Sequence, residues 1–442
     1  MAAWELTPIL VEWVRCLVWM VDARVRPRIA PLLVGALFAQ GRRTVSRWIV
    51  AAGLGSQFKR YYYALGTLGR KSNNVASCLA GLVRRVVPLP ERILLAIDDT
   101  LTKRYGPCVE GAGIHHNPTP GPAGAKLAYG HVWVTLAWLV RHPRWGTLGL
   151  PLLAKLYVRA KDIAPLAAKY DWPFRTKLEL AGELLKWAAF WLSWCERPVW
   201  VVVDGGYSKR PFLDRARELG VTVVGRLRKD AALYDVPPPR KPGQRGRSRK
   251  YGKKISLAGR ARHRCGWQTG EFTLYGQPVT HTYKTFLATS RFVTGHLIRV
   301  VIVKESHGWF AWFCTDPDAS VTDILEAVAD RGAIEQTFHD VKEVHGAGQQ
   351  QLRHVFANVG AWHLLLWLYV LIELWAWDRE DSDLADRTAR PWDDQPRRPS
   401  HADKRNALRR TCLRETFSAR ATTQRLSRKI GQLVEQLASL VC

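Results

Sequence analysis

AVADRGAIEQTFHDVKEV, residues 327–344, is the stretch from which the rest of the chain is read. No helix breaker lies between Ala333 and Val344, and at about 100° per residue Arg331, Glu335 and Lys342 fall within one narrow arc. Ile334, Phe338 and Val341 form an apolar stripe beside that arc, which would anchor the helix on a core. One carboxylate flanked by two cations is also what an exposed, salt-bridged helix face looks like. Two other stretches weigh against that plain alternative.

Each is an apolar strand that ends in aspartate. ILLAIDDT (93–100) runs into Asp98 and Asp99, and VWVVVD (199–204) runs into Asp204, followed by Gly205 and Gly206. Continuous β-branched and apolar runs of this length predict buried central strands. An acid at such a strand end sits where the sheet opens to solvent. Two strand-end aspartates and one helix glutamate have the chemistry to hold two hard divalent cations about 4 Å apart. Such a pair activates a water or hydroxyl and stabilises the leaving oxygen of a phosphodiester.

The order Asp99, Asp204, Glu335, with Arg-x3-Glu-x6-Lys around the glutamate, resembles the DDE transposases of bacterial insertion sequences. The similarity spans roughly residues 90–375 and is to the group with a Tyr-x2-Arg-x3-Glu-x6-Lys signature. It implies a ribonuclease H-like mixed α/β sheet flanked by helices, with a β-rich insertion. It implies Asp99, Asp204 and Glu335 as catalytic metal ligands for two Mg²⁺ ions, with Mn²⁺ as a substitute. Asp99 stands directly before Thr100, as in the family pattern, and pleating sends Asp98 to the opposite face. Arg331 and Lys342 would hold the scissile or a neighbouring phosphate. Val328 stands where the signature has tyrosine, so that residue's role is not carried over.

Composition agrees with a polyanionic partner. Among 442 residues, 66 Lys and Arg stand against 38 acids, a net charge of +28. Double-stranded DNA is the expected partner, with a homodimer in the DNA complex. The eight cysteines form no C-x-x-C pair, which favours reduced thiols in a cytoplasmic protein over a zinc ribbon or disulfide framework. Glu5 and the lack of a leading basic patch argue against a signal peptide. VGAWHLLLWLYVLIELWAW (359–377) is long enough to span a bilayer, but His363 and Glu373 interrupt it, so a buried flanking helix is expected.

Residues 1–88 form the expected helical N-terminal domain for DNA binding. Within it, 44–66 reads as helix, Gly-Leu-Gly turn, helix, decorated by basic residues: a helix-turn-helix or an ordinary bundle. Residues 89–230 are the first part of the core, with a Gly- and Pro-rich loop at 102–128. There Lys103 and Arg104 are DNA-contact candidates, and His115 and His116 lack partners at metal-site spacing. Residues 231–305 hold a basic linker and the β-rich insertion. The linker, 236–254, has eight Lys or Arg and no acid, and Arg245, Arg247, Arg249 and Lys250 are its DNA-contact candidates. Residues 306–377 complete the core, and 378–442 are a linker and a helical tail. The alternatives to an insertion-sequence transposase that cuts and joins DNA are a stand-alone nuclease of the same core and a non-catalytic DNA-binding derivative.

Overall fold

The computed structural model describes residues 4–117, 124–239, 245–385, 387, 392–393 and 397–421. Much of the helical tail expected beyond residue 400, from 422 on, lies outside the described residues. Among the described residues five α-helices precede the first strand: α1 (Pro8–Leu17), α2 (Ile29–Phe38), α3 (Val45–Ala51), α4 (Phe58–Arg70) and α5 (Ser72–Val86). The helix–turn–helix pattern at 44–66 is α3 and α4, with Thr44 capping α3 by accepting the Arg47 amide at 3.2 Å.

The middle of the chain supplies β1 (Ile93–Lys103), β2 (Gly113–His116), β3 (Leu127–His142), β4 (Gly146–Tyr157), α6 (Ala164–Tyr170), α7 (Lys177–Leu192), β5 (Val199–Val203), α8 (Arg210–Glu218) and β6 (Thr222–Leu227). A reciprocal cap starts α7: Thr176 Oγ1 accepts the Glu179 amide, and Glu179 Oε2 accepts the Thr176 amide at 2.7 Å. β1, β3 and β4 are antiparallel neighbours, and β5 and β6 run parallel to β1. That is the ribonuclease H-like mixed sheet expected from the sequence. The stretch 102–128, read as loop, also contains β2, which pairs with β3.

The β-rich stretch follows as β7 (Leu233–Tyr234), β8 (Lys254–Ile255), α9 (Leu257–Arg262), β9 (Gln268–Leu274), β10 (Gln277–Ser290), β11 (Leu297–Glu305) and β12 (Gly308–Cys314). β12 pairs antiparallel with β6, so these strands prolong the central sheet. The described residues end with α10 (Val321–Asp330), α11 (Gly332–Glu343), α12 (Val355–Ala376), α13 (Asp381–Leu384) and α14 (His401–Ala421).

Strand alternation divides the core in two. Leu95, Ile97, Val201 and Val203 face the side covered by the N-terminal helices, α7 and α12. Ala96, Val202 and Val224 face the other side, with Ile334 and Phe338 of α11. α11 lies close on β4 at Gly149, where an added Cβ would stand 3.0 Å from the Ala333 carbonyl. The N-terminal helices share their core with α12: a Cβ on Gly360 would sit 2.0 Å from the Leu65 carbonyl of α4.

α12 is apolar and long enough to cross a membrane, yet its most apolar window is 94% buried within the protein. Both polar residues that interrupt it are satisfied. Glu373 accepts from His401 and Lys404 of α14, each at 2.6 Å. Burial would raise its carboxyl, but Lys404 and His401 outweigh that and hold it at about 2. His363 Nδ1 donates to the Val359 carbonyl at 2.8 Å, and Nε2 accepts the Ala154 amide of β4 at 3.0 Å. Burial pushes this imidazole down to about 4. The unfolded chain, with an ordinary imidazole, therefore takes up the proton first as pH falls. His363 contributes stability above about pH 6.5 that is lost between there and about 4. In urea titrations between pH 6.5 and 5, replacing His363 by Gln should flatten the fall in unfolding free energy by up to about 1.4 kcal/mol per pH unit.

Candidate active site

β1 and β5 run parallel with Ile97 beside Val203, so the next residues of the two strands, Asp98 and Asp204, lie level. Alternation carries both to the face of Ala96 and Val202, where α11 packs. Arg331, at the junction of α10 and α11, ties this face together. Its Nη2 donates to Asp98 Oδ2 at 2.5 Å and its Nη1 to Glu335 Oε1 at 2.8 Å. The Arg331 and Asp98 side chains are 18% and 15% exposed, whereas Glu335 is 62% exposed, so the glutamate forms the open rim.

The carboxyl of Asp98 is pushed up to about 7. Burial is the main cause, and Asp204 and Asp99 add to it, against the opposing pull of Arg331 and the Asp99 amide. Asp204 sits at the head of a tight turn. Its Oδ1 accepts the amides of Gly206 at 2.9 Å and Tyr207 at 3.2 Å. A Cβ on Gly206 would press within 3.1 Å of that same oxygen.

Asp99 is not on this face. Its Oδ1 accepts from Tyr207 Oη at 2.8 Å and its Oδ2 from Lys177 Nζ, at the start of α7, at 2.7 Å. Asp99 was expected to converge with Glu335; Arg331 links Asp98, not Asp99, to the glutamate. A one-residue choice within a strand flips the side chain across the sheet, and only the register with β5 decides it. Arg104 also departs from expectation. Expected at a DNA surface, it is buried, donating from Nε to His131 Nδ1 at 3.0 Å and from Nη1 to the Gly348 carbonyl at 2.6 Å. Burial lowers its guanidinium to about 10.

Lys103 is exposed at the end of β1, and Arg245, Arg247, Arg249 and Lys250 are exposed between β7 and β8. Lys342 lies on α11, half-buried, its ammonium shifted down chiefly by burial. Sequence reasoning missed Arg226. β6 places it level with Asp204, on the same face, because Val203 pairs with Gly225. Its guanidinium stacks 4.7 Å from the Phe310 ring and 5.8 Å from Trp312 of β12. Strand alternation within VTVVGRLR offered the only signal for it.

Among the described residues no three of His, Cys, Asp and Glu already converge as a cation site. The guanidinium of Arg331 instead supplies the positive charge between Asp98 and Glu335. A hard-oxygen donor set bridged by a cation suits a divalent metal. Residues 21–271 match the family model described as DDE superfamily endonuclease, more than half of the chain. The chain belongs to this family. Residues 175–371 also match the transposase DDE domain. No curated protein matches the chain. This DDE transposase is accordingly a nuclease-type enzyme.

The buried Arg104 separates structure from DNA contact. Replacing it by Met should cost about 2–3 kcal/mol in denaturant unfolding, because His131 and the Gly348 carbonyl lose a charged donor. The slope of log DNA affinity against log salt should stay as in wild type.

Proposed function

We propose that this DDE transposase cuts DNA at the ends of an insertion sequence and joins the freed 3′-hydroxyl to target DNA. What supports this most is the level pair Asp98 and Asp204 on adjacent parallel strands, with Asp98 linked to Glu335 through Arg331. Asp98, Asp204 and Glu335 would hold two Mg²⁺ ions, or Mn²⁺, with Asp98 in the role first expected of Asp99. Bound Mg²⁺ supplies Lewis-acid activation of the attacking hydroxyl and neutralises charge on the departing oxygen.

The remaining work falls to side chains of the chain itself. In cleavage a water oxygen bonds to phosphorus, the P–O3′ bond breaks, and the 3′-oxygen leaves with a proton. In joining, that 3′-hydroxyl attacks a target phosphodiester and a new 3′-oxygen departs, so bond count is unchanged. Arg331, already turned towards both acids, and Lys342 on the same helix bind the phosphate next to the cut. Arg226 extends this cationic rim beside Asp204. The exposed Lys103 and the basic run Arg245, Arg247, Arg249 and Lys250 bind backbone phosphates without reading bases. Residues 1–88 recognise the ends, and two copies act together because an element has two ends. A stand-alone nuclease has the same acids but does not join.

Paired-end assays with duplexes from the DNA flanking the coding region test the proposal. Wild type should cut and join in Mg²⁺. Asp98→Asn, Asp204→Asn and Glu335→Gln should each drop cleavage to background while still binding the duplex. Cutting without joining would leave the nuclease alternative, and near-wild-type cleavage by any of these variants would remove the acid assignment. Neutralising the four cations of 245–250 together should weaken binding to every sequence and lower the salt slope by up to about 4 units. An unchanged slope would show that the run is only solvated surface.

A further inference from the structure

The buried phenol of Tyr207 has no part in the chemistry above, yet it is bonded to both sides of the site. Tyr207 closes the turn that Asp204 opens: its amide donates to Asp204 Oδ1 at 3.2 Å and to the Asp204 carbonyl at 3.3 Å. The Gly206 amide holds the same carboxylate oxygen, and Ser208 Oγ donates to the Asp204 carbonyl at 3.0 Å. From the other end of the residue, Tyr207 Oη reaches across to β1 and donates to Asp99 Oδ1 at 2.8 Å. Asp99 Oδ2 is held by Lys177 at 2.7 Å, and the Asp99 amide donates to Asp98 Oδ1 at 2.8 Å. One continuous run of hydrogen bonds thus connects the Asp98 carboxylate, through Asp99 and Tyr207, to the Asp204 carboxylate.

We infer that Tyr207 and Asp99 are positioning residues that aim the Asp204 carboxylate at its partner Asp98 from the far face of the sheet. The inference rests on the proposed acid set. Neither residue touches the reacting atoms. Tyr207 is 3% exposed, its ring edge-on to Phe212 of α8. A hydroxyl donor on a carboxylate that itself faces away from the site acts only through geometry. With Oδ1 of Asp204 fixed by two amides, its other oxygen has one direction left, and that direction is set by how far the Tyr207 anchor pulls the turn towards β1.

Tyr207→Phe, Asp99→Ala and Asp99→Asn test the inference, with Asp98→Asn as the reference. Mn²⁺ binding to the full-length protein without DNA is read by electron paramagnetic resonance. Cleavage rate is read against concentration of the flanking-DNA duplex, and thermal unfolding is followed alongside. Tyr207→Phe and Asp99→Ala should weaken Mn²⁺ binding and slow maximal cleavage by about 10- to 100-fold. The half-saturating duplex concentration should not move. Asp99→Asn should recover part of both losses, because a carboxamide oxygen still accepts from the phenol. Wild-type Mn²⁺ affinity in Tyr207→Phe, or a loss confined to melting temperature, overturns the inference. So does an Asp99→Asn variant as inert as Asp98→Asn, which would make Asp99 itself a ligand. If Tyr207→Phe does not fold, the Asn and Ala variants of Asp99 carry the same decision. Should Asp98→Asn cleave normally, the acid set fails, and that outcome is distinct from the failure of Tyr207 to position it.

Discussion

The parallel pairing of β1 with β5, Ile97 beside Val203, is the constraint on which the rest depends. Parallel neighbours in register present the same face at the same height. That single alignment makes Asp98 and Asp204 a pair and turns Asp99 away. It also sets Arg226 beside Asp204, because β6 continues the same register. A slip of one residue would send every one of these side chains to the opposite layer. Buried residues on both faces, Leu95 and Ile97 on one and Ala96 and Val202 on the other, make such a slip costly.

The two layers on either side of this sheet have different tasks. The α7 and α12 side is large and apolar, and it absorbs the five N-terminal helices into one core. A Gly-to-backbone approach between α4 and α12 draws them into contact, and α14 is clamped to α12 by the buried Glu373, His401 and Lys404 group. Removing one partner from such a group would strand a buried charge, which is why its geometry is tight. The α11 side is thinner, and its helix is held by apolar contacts and by Thr337, which lies 2.9 Å from the Gly149 carbonyl. Glu335 is consequently left at an open rim, where a long polyanion has access.

Charge is managed in a related way. The charges of Asp204 and Asp99 both act on Asp98, and burial already favours its protonated form. Arg331 relieves this by bonding Asp98 and Glu335 at once, while Lys177 does the same for Asp99. These contacts compensate a concentration of carboxylates within the fold. The same cations are of the right charge to meet phosphates.

Local sequence was enough to mark the strands, because runs such as VWVVVD bury on both faces and have no other stable home. It was enough for α11, whose apolar stripe of Ile334, Phe338 and Val341 recurs at helical spacing. The Arg331–Glu335 contact was equally legible, since residues four apart on a helix touch. Composition marked the excess of positive charge. Tertiary structure alone assigned Asp98 and Asp99 to opposite faces, because each is an aspartate at the end of one strand and only pairing with a distant strand defines the faces. It alone buried Arg104, whose partners His131 and Gly348 come from elsewhere in the chain, and it alone brought Tyr207 to Asp99 and Arg226 to Asp204. Periodicity reports which residues share a face; which face meets which is set by contacts between segments far apart in sequence.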